Sequence, residues 1–171
     1  MSTLASPVSD FGGHGPELHF AHANGYPPAA YRPLFEQLTP HFRVNAMRFR
    51  PLQPGARPEA LPGWQALVDE LIQFLDGAGA RGWLGVGHSL GAVVTAAAAL
   101  ARPELFSALV LIEPVLFTPR RMRVFSVLQR LGLVRRIHPL VAAALRRRAH
   151  FSSADEMFAR YRNAPVFSGI D

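Results

Sequence analysis

One hydroxyl in this chain stands in a pattern that could do chemistry. In Gly87-His88-Ser89-Leu90-Gly91 a serine is flanked, two residues away on each side, by glycine. A chain that turns sharply from strand into helix holds its junction residue in a strained conformation with the side chain exposed. Side chains two positions away would collide in such a turn, so glycines at 87 and 91 suit it. A helix opening near Leu90 points unpaired backbone N–H groups at the place where a negative oxygen would form. The chemistry these features fit is acyl transfer, with Ser89 attacking a carbonyl and the helix end steadying the oxyanion. The chain has no cysteine, which excludes a thiolate nucleophile, a disulfide framework and a thiolate metal site.

That motif works only if a strand precedes it and a helix follows. Trp83-Leu84-Gly85-Val86 is a short apolar strand, and the Ala- and Val-rich stretch 92–101 is a helix apolar almost all round, as for one packed deep in a sheet fold. Around them, short strands alternate with helical patterns, the sign of a parallel α/β sheet. A strand over 18–22 runs into the turn-rich Asn24-Gly25-Tyr26-Pro27-Pro28. Tyr31, Leu34, Phe35 and Leu38 then share one helical face. Residues 42–49 form a second strand, and a Pro/Gly-rich loop covers 50–63. Leu67, Val68, Leu71, Ile72 and Leu75 recur at helical spacing until Gly77 and Gly79 end the helix. Residues 108–112 form a continuous apolar strand of the buried parallel kind. After residue 118 helical segments, about 120–131, 139–148 and 154–162, follow one another with no strand between them.

The combination resembles the α/β-hydrolase superfamily over most of the chain. The pieces that carry the resemblance are His22-Ala23-Asn24-Gly25-Tyr26-Pro27 after one strand, Gly87-His88-Ser89-Leu90-Gly91 after another, and the strand Leu109-Val110-Leu111-Ile112-Glu113-Pro114. The resemblance implies that Ser89 is the nucleophile. It implies an oxyanion hole from the backbone N–H of Leu90 and a second N–H in the first loop, that of Tyr26. Asn24 departs from the family pattern, standing where many relatives carry histidine before the glycine. Serine at 89 is unlike the epoxide-hydrolase and haloalkane-dehalogenase branches, which carry aspartate there, and points toward ester, thioester, lactone, amide or C–C bond hydrolysis. His22 shapes the oxyanion loop, and His88 is a packing residue beside the elbow. His14, His19 and His41 have no partner motif and read as structural or exposed.

A serine hydroxyl is a poor nucleophile until a histidine takes its proton and a carboxylate orients that histidine. In this fold the chain order is Ser, then Asp or Glu, then His. After Ser89 the acids are Glu104, Glu113, Asp155, Glu156 and Asp171, and the histidines are His138 and His150. Only Glu113 is well placed, at the C-terminal end of a strand beside the nucleophile strand. Two readings of it stay open, a catalytic acid, as some members of the superfamily have there, and a structural residue. His138 and His150 lie in arginine-rich helical segments that aim neither ring at Ser89. The resemblance sets the acid and the base beyond the helical insertion, so the expectation is a C-terminally incomplete chain, short of roughly 60–90 residues of βα units, in which the strand at 108–112 becomes an unprotected sheet edge. Weak or absent turnover follows from that expectation.

The 171 residues, 49% hydrophobic and 18% charged, exclude a disordered chain and allow one ordinary domain. No secretory signal or membrane-spanning run is visible, which makes a soluble cytoplasmic protein the expectation. The net charge of +6 is uneven: residues 1–118 carry seven arginines against nine acids, and residues 119–171 eleven arginines against three. Residues 1–118 are thus expected to be a partial α/β-hydrolase core, an α/β fold with a parallel sheet lacking its last strands. Residues 119–171 are expected to be an incomplete arginine-rich helical cap. There, Phe125, Val127, Leu128, Leu131, Leu133 and Val134 would supply an apolar underside, with Arg120, Arg121, Arg123 and Arg146, Arg147, Arg148 turned to solvent. That charge is a solvated face or an attractor of anionic substrates or membranes. No nucleic-acid motif accompanies it. No metal or cofactor is implied, and the partner is a small-molecule substrate. The alternative from another class is a non-catalytic hydrolase-fold remnant that binds a small molecule or a protein.

Overall fold

The computed structural model describes residues 8–57, 61, 63–131, 133, 148 and 150–162. His138, Val134, Arg146, Arg147 and residues 139–147 of the helix expected over 139–148 lie outside the described residues. The chain divides into two units, Met1–Leu116 and Phe117–Asp171.

In the first unit five strands form one sheet in the order β1-β3-β2-β4-β5. The strands are β1 (Val8–Gly12), β2 (Glu17–Ala21), β3 (Arg43–Met47), β4 (Trp83–His88) and β5 (Phe106–Ile112). β2, β3, β4 and β5 run parallel, and β1 alone pairs antiparallel, with β3. β1 is absent from the sequence-based reading because Val8-Ser9-Asp10-Phe11-Gly12 has no apolar run. Three α-helices flank the sheet: α1 (Arg32–Leu38), α2 (Gln65–Gly77) and α3 (Leu90–Ala101).

The period of two in β2 sets the layers. Leu18 and Phe20 point to one face, where they are fully buried with Phe35 of α1, Val44 and Ala46 of β3, and Val86 of β4. Ala21 points to the other face, packed with Leu67, Leu71 and Leu75 of α2 and Val94 and Ala98 of α3. His19 shares that second face, its ring 5.4 Å from that of Phe74 on α2. Each large apolar side chain so buried contributes about 1.5–3 kcal/mol. Leu34 does not join the α1 core face as its spacing predicts. It is exposed, because α1 has only two turns and Phe35 fills its contact with the sheet.

β5 departs from the burial that its own apolar run predicts and stands at the sheet edge expected for an incomplete core. It is parallel, as its sequence predicts, but not buried: Leu109, Val110, Leu111 and Ile112 are 38–48% exposed. Among the described residues β5 is an edge strand, with β4 its one neighbour. An apolar run specifies burial on both faces, but what lies beyond the strand decides whether it is covered.

In the second unit, α4 (Pro119–Arg130) is capped by Thr118, whose hydroxyl accepts the Arg121 N–H at 3.4 Å. Its apolar residues do not make a separate underside. Phe125, Val127 and Leu131 are exposed. Arg120 and Arg121 line the same groove as Val124, Phe125 and Leu128, because residues four apart share a helix face. α5 (Ala154–Arg162) begins after Ser153, which accepts the Glu156 N–H at 3.1 Å, and Arg148 pairs with Glu156. No helix among the described residues is long and apolar enough to cross a membrane.

Candidate active site

Ser89 occupies the single residue between β4 and α3, with φ 53° and ψ −114°. Left-handed φ in a non-glycine residue costs on the order of 1–3 kcal/mol and persists only where surrounding structure dictates it. Here the two flanking glycines do so. A Cβ on Gly91 would lie 2.1 Å from the Ala21 carbonyl oxygen, and one on Gly87 would lie 2.6 Å from the Ala92 backbone. The first turn of α3 therefore rests directly on the C-terminal end of β2. The Ser89 N–H donates to the Ile112 carbonyl at 2.9 Å, anchoring the elbow to β5. Leu90, the first residue of α3, presents an N–H that by position has no acceptor within the helix.

The loop leaving β2 is held by three side chains. His22 is buried, and its Nε2 accepts the Phe49 N–H at 3.0 Å. The ring's proton is then on Nδ1, which donates to the Ala23 carbonyl at 2.8 Å. Burial, followed by the charge of Arg48, holds the His22 pKa below its ordinary value against the opposing effect of the Ala23 bond. The Ala23 N–H donates to the Tyr31 hydroxyl at 3.0 Å, and that hydroxyl meets His88 Nδ1 at 2.8 Å. Asn24 and Gly25 are exposed at the tip of the loop.

The Tyr26 N–H is engaged within its own loop. Its N–H donates to the Ala23 carbonyl at 3.1 Å, closing a tight turn that Gly25 permits with φ 81°. An oxyanion could use this N–H only in competition with that carbonyl. His88 is more than a packing residue, since its ring is bonded to Tyr31. Tyr31 itself was legible only as a core position on a helical face. Its signal was the polar end of a half-buried tyrosine, which demands a partner.

Glu113 directly follows Ile112, which pairs in register with His88. Ser89 and Glu113 therefore stand side by side just past two neighbouring strands, and these two are the described non-glycine residues with positive φ, Glu113 at 47°. Glu113 is exposed, and among the described residues no hydrogen bond joins it to a histidine. None of the described histidines of the first unit is hydrogen-bonded to the Ser89 hydroxyl: His14 and His41 are exposed, His19 is fully buried, and His22 and His88 bond elsewhere. His150 is exposed in the second unit. Among the described residues no three His, Asp or Glu side chains gather as a metal site.

The sequence matches a family model described as "Alpha/beta hydrolase family" over residues 20–169. The chain belongs to the alpha/beta hydrolase family. Solved structures agree with this fold. The crystal structure of E-2-(acetamidomethylene)succinate hydrolase is 26% identical, with TM-score 0.57 over 73% of this chain and 46% of that one. A carboxylesterase structure from the ammonia-oxidizing thaumarchaeon Nitrososphaera gargenis is 20% identical, with TM-score 0.61 over 94% of this chain and 60% of that one. An epoxide hydrolase from Vigna radiata is 23% identical, with TM-score 0.60 over 74% of this chain and 41% of that one. This alpha/beta hydrolase chain thus spans 41–60% of the length of these structures. No match was found among curated protein sequences.

Proposed function

We propose that the chain is a serine hydrolase that transfers an acyl group through Ser89. The observation that carries this reading is the strained serine itself, held at φ 53° where glycines 87 and 91 leave no room for a Cβ. The Leu90 N–H would donate to the oxyanion, and the Tyr26 N–H would join it by giving up Ala23. Glu113 is the candidate acid, beside Ser89 in register. The substrate is a small molecule with an ester, thioester, lactone, amide or reactive C–C bond. Residues 1–118 would form the catalytic core, and the helices of 119–171 a cap that shapes the substrate pocket.

Turnover is weak in this reading, because no described histidine is bonded to Ser89. Binding and the oxyanion donors alone retain about 10³–10⁴ over the reaction in water. The test is a fluorophosphonate probe applied to folded protein. Labelling that disappears in Ser89→Ala is the expected result. Folded protein that takes no label would overturn the reading and favour a non-catalytic hydrolase-fold binder.

A further inference from the structure

We propose that Tyr31 is a positioning residue that locks the loop after β2 to the nucleophile elbow, its hydroxyl accepting from Ala23 and donating to His88 Nδ1. The inference rests on the reading of Ser89 as nucleophile and adds to it the device that sets Ser89 against the oxyanion donors. The two parts of the site lie on separate elements, Ala23 after β2 and His88 at the end of β4, and are 65 residues apart in sequence. The Tyr31 oxygen lies within hydrogen-bond distance of both, 3.0 Å from the Ala23 nitrogen and 2.8 Å from His88 Nδ1.

Proton bookkeeping assigns the direction of each bond. The Ala23 N–H can only donate, so the phenol oxygen accepts it. The phenol has one hydrogen of its own, and His88 Nδ1 is the acceptor beside it. The His88 ring proton then resides on Nε2. Burial pushes the Tyr31 phenol above its ordinary pKa, so it keeps that hydrogen through the neutral range.

The oxygen is also fixed in place. The Tyr31 ring packs 4.6 Å from the Phe20 ring and 6.2 Å from the Phe35 ring, between β2 and α1. The His88 ring meets it edge-on at 5.8 Å. A shift of the loop is therefore passed to the residue immediately before Ser89. Misplacement of reacting groups by about 1 Å can cost 10²-fold in rate.

The decisive variant is Tyr31→Phe, which keeps the ring and removes the oxygen. Its second-order labelling by fluorophosphonate should fall about 10- to 100-fold. His88→Asn, whose amide oxygen can accept near the place of Nδ1, should recover most of the rate that His88→Leu loses. A merely structural tyrosine would not give that difference. The imidazole ¹⁵N spectrum of wild-type protein supplies a readout that needs no variant and should show His88 protonated on Nε2. Labelling of Tyr31→Phe at the wild-type rate, or a His88 proton on Nδ1, overturns the proposal. Wild-type protein that folds but takes no label overturns the nucleophile reading instead, and the ¹⁵N spectrum still decides the bond.

Discussion

His19 is a buried imidazole that no part of the proposed chemistry uses. It is fully buried, and neither ring nitrogen has a hydrogen-bond partner among the described residues. Burial, assisted by the nearby His22, lowers its pKa from 6.5 to about 3. The sign of the consequence follows from proton counting. Between those values the unfolded chain binds a proton that the folded chain refuses, so acid favours unfolding. The folded state has its full share of stability above pH 6.5 and loses about 1.4 kcal/mol per pH unit as pH falls toward 3. Leucine is of similar size and brings no polar atoms, so His19→Leu should flatten this dependence. Urea unfolding at pH 7 and pH 5 should show wild type losing about 2 kcal/mol more than the variant between the two conditions. Parallel losses in the two proteins would show that His19 titrates normally in the fold.

The two edges of the sheet differ in how they meet solvent. β1 is five residues long, and its register with β3 shifts between Asp10 and Gly12. Short length and such an irregularity both discourage pairing with another chain. Asp10 and Arg43 add an exposed ion pair at 2.9 Å beside it. β5 is less protected: its register shift lies at its start, opposite Trp83 and Leu84, and beyond it come a wholly apolar run from Ala108 to Ile112 and an exposed surface continuing into Val115 and Leu116. Val110→Lys should therefore reduce self-association, measured by sedimentation, while changing stability by no more than about 0.5 kcal/mol, because Val110 is already half exposed. Unchanged sedimentation at equal concentration would show that β5 is not the sticky edge.

The same elements show what a sequence can and cannot display. Strand 83–88, helix 90–101 and the elbow between them were legible because glycine spacing and apolar runs are local constraints. The edge position of β5 was legible only through the strands that the family pattern sets beyond it, not from its own apolar run, since exposure depends on which neighbours exist. The bond of the Tyr26 N–H to Ala23 was not legible because it depends on the turn that Gly25 closes, and Tyr31 was missed because its partners lie 8 and 57 residues away.

At the scale of the whole molecule, the proposed nucleophile half of the site is gathered in one unit, while no base is bonded to it among the described residues. Ser89, the Leu90 N–H and the loop held by His22 and Tyr31 all belong to the first unit, where no described histidine is bonded to the serine hydroxyl. In the proposed reading such a serine needs a proton acceptor, and one can be supplied from solution. Added imidazole should therefore accelerate hydrolysis of p-nitrophenyl acetate in proportion to its neutral form. Imidazole attacks this ester unaided, so the informative quantity is the difference between wild type and Ser89→Ala at each concentration. That difference should start near zero and grow with imidazole. A large difference without imidazole, unchanged on adding it, would mean that the chain provides its own base. His138 and His150 would then be the side chains to replace, with Glu113 as their carboxylate, because the hydrolase order of serine, acid and histidine leaves no others after Ser89.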